Sequence, residues 1–151
     1  LRFVAEHPGL GPQFLSTADN KGTTVAHVAA QRDDVAMLEY LGNVAGIGLL
    51  RKPRSDGTTI AHEAARQQSM KVLRFVAEHP GLGPQFLSTA DNKGTTVAHV
   101  AAQRDDVAML EYLGNVAGIG LLRKPRSDGT TIAHEAARQQ SMKVLRFVAE
   151  H

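Results

Sequence analysis

Four histidines recur at matching places along the chain, His27, His62, His99 and His134. Regularly spaced histidine invites a zinc reading. Zinc needs its ligands within about 2 Å of one point, whereas side chains on successive packed helical layers stand roughly 10 Å apart. One histidine per layer cannot converge on a metal. Each lies three residues after a threonine, Thr24, Thr59, Thr96 and Thr131, and residues three apart meet across the first turn of a helix. The spacing therefore predicts a structural pair that bonds within its turn and to adjacent backbone. The run HEAAR, His62 to Arg66, begins like the zinc-protease helix pattern H-E-x-x-H, but Arg66 stands where the second ligand must be. No metal and no cofactor is expected.

Other candidates for chemistry are weaker. GIG (Gly46 to Gly48) and GLG (Gly81 to Gly83) follow no strand and lack the spacing of a phosphate-binding loop, so they read as turns. No serine sits in a nucleophile-elbow context and no carboxylate pair is placed for acid-base work. Catalysis has no visible carrier, and no small-molecule substrate is expected. The one concentrated charge is RKPR, with Arg51, Lys52 and Arg54 in one copy and Arg123, Lys124 and Arg126 in the other. On a projecting loop it could meet an acidic protein surface or phosphates, but Asp56 and the neighbouring acidic positions dilute it, and a solvated turn is the favoured reading. His7, His79 and His151 close helices, where a cation favours the helix dipole.

Composition narrows the classes. Absence of cysteine excludes a disulfide framework, a thiolate metal site and a thiol nucleophile. Hydrophobic residues are 42% and charged residues 21%, which suits a folded chain and not a disordered one. A net charge of +2 is too small to argue for nucleic acid, and no apolar run is long enough to span a membrane.

The elements that must position these residues follow from repetition. Residues 1–72 and 73–144 are identical, and the third copy begins LRFVAEH before His151. Identity at loop and surface positions implies recent duplication, homogenisation or deliberate joining of one unit. Within the 72-residue block, GTTVAHVAAQRDDVAMLEYL from Gly22 has an echo, GTTIAHEAARQQSMKVLRFV from Gly57. The structural unit is thus half the block.

Each unit reads as two short helices. Thr24 is an N-cap, and Ala26, Ala29 and Ala30 share one face of the helix that follows. Asp33 and Asp34 end it, since Asp tolerates left-handed backbone. A second helix carries larger side chains, Val35, Leu38 and Leu41 in one half and Met70, Leu73, Val76 and Ala77 in the other. Gly46, Gly48, Pro53, Pro80, Gly81 and Pro84 predict projecting loops, with Leu50 and Leu87 as anchors. One helix pair buries too little apolar surface to offset its chain entropy, so the pairs must stack.

DNKGTTVAHVAA (Asp19 to Ala30, and Asp91 to Ala102) and RSDGTTIAHEAA (Arg54 to Ala65, and Arg126 to Ala137) resemble the ankyrin repeat, whose core is D-x-x-G-x-T-P-L-H-x-A-A. Val25 and Ile60 replace that family's Pro, Ala26 and Ala61 its Leu, and Asp33 and Gln68 its inter-helix Gly. The resemblance implies an all-α, ankyrin-like helix-turn-helix solenoid with units at about 17–45, 54–81, 89–117 and 126–151. It also implies a structural role for the Thr–His pairs and binding by loop tips and first helices. On this chain those are Asn20, Lys21, Thr23, Gln31 and Arg32; Ser55, Asp56, Thr58, Arg66 and Gln67; Asn92, Lys93, Thr95, Gln103 and Arg104; and Ser127, Asp128, Thr130, Arg138 and Gln139. The function so implied is a non-enzymatic protein interaction scaffold.

A second expectation concerns the ends. LRFVAEH at 1–7 matches the latter part of a second helix, which predicts a partial helix there with Leu1, Phe3 and Val4 exposed. No polar capping unit is visible, though stacked repeats normally carry one. Partners are therefore either another protein or further copies of the chain, the latter making a segment of a longer array or filament.

Overall fold

A computed structural model describes residues 11–151. The partial helix expected over 1–7 lies outside the described residues. Among those described there are twelve helices and no strand. Four pairs form the body: α2 Val25–Gln31 with α3 Val35–Ala45, α5 Ile60–Arg66 with α6 Met70–Glu78, α8 Val97–Gln103 with α9 Val107–Ala117, and α11 Ile132–Arg138 with α12 Met142–Glu150. Four shorter helices connect or flank them: α1 Gly11–Leu15, α4 Ile47–Arg51, α7 Pro84–Leu87 and α10 Ile119–Arg123.

Local chemistry explains the boundaries. Each first helix starts at a threonine in extended backbone, Thr24 with φ −105° and ψ 172°, so its side chain can cap the exposed amides of the first turn. Each ends at a residue with positive φ, Asp33 at 59°, Gln68 at 55°, Asp105 at 58° and Gln140 at 56°. A left-handed residue at each of these places turns the chain into the second helix. Asp34 and Ser69 then cap the second helices, accepting from Met37 N at 3.0 Å and Val72 N at 3.2 Å.

Packing follows the size of the side chains. Ala26, Ala29, Ala30, Ala61, Ala64 and Ala65 are fully buried, and small side chains let one first helix approach the next. α2 touches α5, α5 touches α8, and α8 touches α11. Behind them Leu38, Leu41, Leu73, Val76, Leu110 and Leu113 are fully buried. A polar tie joins alternate junctions: the Ser69 hydroxyl donates to Asp33, which Lys71 also approaches at 3.3 Å. Ser141, Asp105 and Lys143 repeat it.

The connections correct one expectation. They contain single-turn helices where glycine and proline predicted open loops. Pro84 occupies the first turn of α7, where its missing N–H has no partner to lose, and Gly48 costs α4 only about 1 kcal/mol. Gly46 still ends α3, with φ 91°. Leu50 and Leu87 are fully buried, as anchors must be.

Candidate functional site

Two sets of sequence-marked residues come together, the Thr–His pairs inside and the turn tips outside. Inside, the Thr24 N–H donates to His27 Nδ1 at 3.1 Å, and the Thr24 hydroxyl lies 3.0 Å from the same atom. A nitrogen that accepts from an amide carries no proton, so the ring is neutral with its hydrogen on Nε2. That hydrogen is donated out of the unit, to the Thr58 carbonyl oxygen at 3.1 Å. His62 does the same to Thr95 at 2.8 Å, and His99 to Thr130 at 3.1 Å. Burial pushes the pKa of all three rings below the ordinary histidine value, against a smaller upward pull from those carbonyls. His134 keeps its bond to Thr131 at 2.9 Å but is exposed.

Among the described residues no group of three potential ligands from His, Asp or Glu stands together.

Outside, each turn preceding a first helix is closed by its own aspartate. Asp19 Oδ1 accepts from Lys21 N at 2.8 Å and Thr23 N at 2.9 Å, and the Thr23 and Lys21 amides hold its carboxyl below the usual range. Adjacent tips are then tied by backbone. Ser55 N donates to Lys21 O at 2.9 Å, Asn92 N to Asp56 O at 2.9 Å, and Ser127 N to Lys93 O at 3.0 Å. The Asn92 side chain adds a bond to Ser55 O at 3.0 Å. Gly57 makes this approach possible: at φ 86°, an added Cβ would lie 2.8 Å from Asn92 N. Asn20, Lys21, Ser55, Asp56, Asn92, Lys93, Ser127 and Asp128 are all exposed along this row.

The threonines named with them behave differently. Thr58, Thr95 and Thr130 are buried and their carbonyls receive the histidine bonds, while Thr23 is half-buried. They hold neighbouring units together and are not available as a binding surface.

The ends of the first helices also divide. Gln31 donates to Glu63 of the following unit, and Arg66 pairs with the same carboxylate at 2.6 Å. Gln103, Glu135 and Arg138 repeat this, with Arg138 at 2.7 Å and Arg126 at 3.9 Å. Gln31, Arg66, Gln103 and Arg138 therefore belong partly to the internal frame. Arg32, Gln67, Arg104 and Gln139 are exposed. Glu63 and Glu135, only 3% and 2% exposed, were missed in the sequence. Their signal was position: Glu63 stands where Val28 stands in the neighbouring unit.

The basic stretch does not stay together. Arg51 ends α4, where its guanidinium covers the Phe86 ring at 5.9 Å and donates to Gly81 O at 2.9 Å. Arg54 and Arg126 are half-buried, each with a buried Nε. Lys52 donates to Ser16 O at 3.2 Å. Arg123 and Lys124 are exposed at the other end of the molecule. His79 closes α6 as its C-cap residue, and its Nδ1 accepts from Gly81 N at 3.0 Å.

No protein-family model matches the chain, and comparison with curated proteins likewise finds no match. Among the described residues no helix is long and apolar enough to cross a membrane.

Proposed function

We propose that the chain is an ankyrin-like solenoid whose role is to bind another protein, as a non-enzymatic scaffold with repeated surfaces. The stacking is supported by first helices that touch in chain order and by histidine bonds that link each unit to the next. The observation that carries the binding reading is the row of tips. Backbone bonds fix each tip against its neighbour, so the side chains are presented with little entropy left to lose on binding. Each tip carries a charge of each sign, Asp19 with Lys21, Arg54 with Asp56, Asp91 with Lys93 and Arg126 with Asp128, and the order of the signs reverses from one tip to the next. A partner with complementary alternating charge gains register as well as attraction, and repeated weak contacts sum along the row.

Selection of displayed peptides on the intact chain tests this. Peptides so selected should lose about ten-fold in affinity to a Lys21→Glu, Lys93→Glu variant, and weaken as salt rises. A Glu39→Lys, Glu111→Lys variant, altered on exposed second-helix positions, should bind them unchanged. Ligands indifferent to the tips and sensitive to the second helices would remove the tip assignment.

A further inference from the structure

The second helices carry a cleft whose chemistry differs from that of the tips. Where α3 packs beside α6, at the internal junction of the first unit with the second, an open cavity of about 320 Å³ is lined by Glu39, Asn43, Phe75, Glu78, His79 and Pro80. Helical spacing builds it. Glu39 and Asn43 stand four apart on α3, and Glu78 and His79 stand three and four residues after Phe75 on α6, so each set shares one helix face. Carboxylates therefore enter from both helices. Glu39, Asn43 and Glu78 are exposed and Phe75 is half-buried, while His79 braces the Phe75 ring edge-on with centroids 5.3 Å apart.

The chain supplies no cation to this cleft. Among the described residues neither Glu39 nor Glu78 is in an ion pair, and the neighbouring basic side chains are engaged elsewhere. Arg74 lies over the Tyr112 ring at 5.8 Å, Lys71 reaches Asp33 at 3.3 Å, and Arg51 covers Phe86. Two negative charges beside an aromatic ring are left uncompensated. No three metal ligands stand together among the described residues, whereas a ring face attracts an organic cation.

We propose that this cleft binds the side chain of an arginine on a partner protein. A guanidinium is planar and can lie against the Phe75 ring, and its five donors suffice for both carboxylates and the Asn43 carbonyl oxygen together. An ammonium is a compact, strongly hydrated point charge with three donors, so lysine fits less well. The cavity stands near the lower limit of about 300 Å³ for ligand sites, which suits one side chain. Free arginine is a poorer occupant, because its own carboxylate would face Glu39 and Glu78. Nothing in this reading depends on the tips. One side chain gives an affinity on the order of millimolar, too weak to be retained when displayed peptides are selected, so the two surfaces are tested apart.

The test titrates N-acetyl-L-arginine amide into the intact chain and follows backbone amide and phenylalanine ring resonances by NMR. Glu39, Asn43, Phe75 and Glu78 have identical counterparts at Glu111, Asn115, Phe147 and Glu150, so each variant is made in both copies. The expected result is saturable shifts at Asn43 and Phe75, with binding of the neutral isostere N-acetyl-L-citrulline amide weaker by about ten-fold or more, as loss of a charge-assisted pair implies. The Glu39→Lys, Glu111→Lys variant, changed at exposed positions and checked for unchanged circular dichroism, should abolish saturation. Shifts that never saturate, that persist in this variant, or that citrulline reproduces would overturn the proposal. Equal binding of N-acetyl-L-lysine amide would overturn the choice of arginine, and equally tight binding of free L-arginine would overturn the assignment to a protein side chain.

Discussion

His62 donates its Nε2 proton to the carbonyl oxygen of Thr95 at 2.8 Å, across 33 residues of chain. Both groups are buried, and the other ring nitrogen is held by Thr59 N at 3.1 Å. One side chain thus closes its own helix start and fastens the next unit.

Truncating this ring should be costly. His62→Ala strands buried donors and acceptors on both sides, at about 1–3 kcal/mol for each group left unsatisfied. His134→Ala removes only the local cap in an exposed setting, at about 1 kcal/mol. Urea midpoints of the two variants check the order, and equal losses would show that the inter-unit bond contributes nothing.

Acid should loosen the stack by the same route. His27, His62 and His99 have native pKa values below their ordinary 6.5, so in the window beneath 6.5 the unfolded chain binds protons that the folded chain refuses. Their contribution is complete above the unfolded value and is lost as pH falls through the native ones. Denaturation midpoints should hold above about pH 6.5 and drop as pH falls below it. Ring Cε1–H resonances of these three should titrate below 6.5, and midpoints at or above it would contradict the burial argument.

Two glycines separate strain from collision. Gly46 and Gly57 have similar φ, 91° and 86°, but nothing lies within 4 Å of a Cβ at Gly46, whereas Gly57 faces Asn92 N at 2.8 Å. Gly46→Ala should cost about 1–3 kcal/mol from backbone strain alone, since φ 91° with ψ 168° is a region that essentially only glycine adopts. Gly57→Ala adds a backbone clash that parts two tips. Thermal unfolding of both variants measures the difference, and a Gly57→Ala as mild as Gly46→Ala would mean that the tips separate freely.

The left-handed residues between helices offer a gain. Gln68→Gly relieves a φ of 55° at an exposed position and should stabilise by up to about 1 kcal/mol. Asp33→Gly relieves a similar φ of 59° but also removes the partner of Ser69 and Lys71. It should gain less or lose stability. Chemical denaturation of the pair decides, and a larger gain at Asp33 would deny the polar tie any value.

Where sequence succeeded, the cause was local. Thr24 and His27 are three residues apart, and their pairing needs only one helical turn. Asp33 could be placed at a break because its tolerance of left-handed backbone is intrinsic. The partner of His27 Nε2 could be foreseen only as nearby backbone, since choosing Thr58 O requires two units already in contact. Glu63 was set against a zinc pattern in HEAAR, while its burial depends on Gln31 from the preceding unit. α4 and α7 were hidden because glycine and proline at helix starts resemble the same residues in open loops. Glu39 and Glu78 mark the limit: nothing in the sequence joins them, and only the stacking of two units brings them to one cleft.

The histidine bonds also have a direction. In every junction the earlier unit gives the proton and the later one receives it, and His134, in the last unit described, bonds to Thr131 of its own turn. Under a pulling force such a row opens like a zipper, one junction at a time. The first and the last of the described units each face one neighbour, so extension should begin at either of them and proceed in steps of one unit.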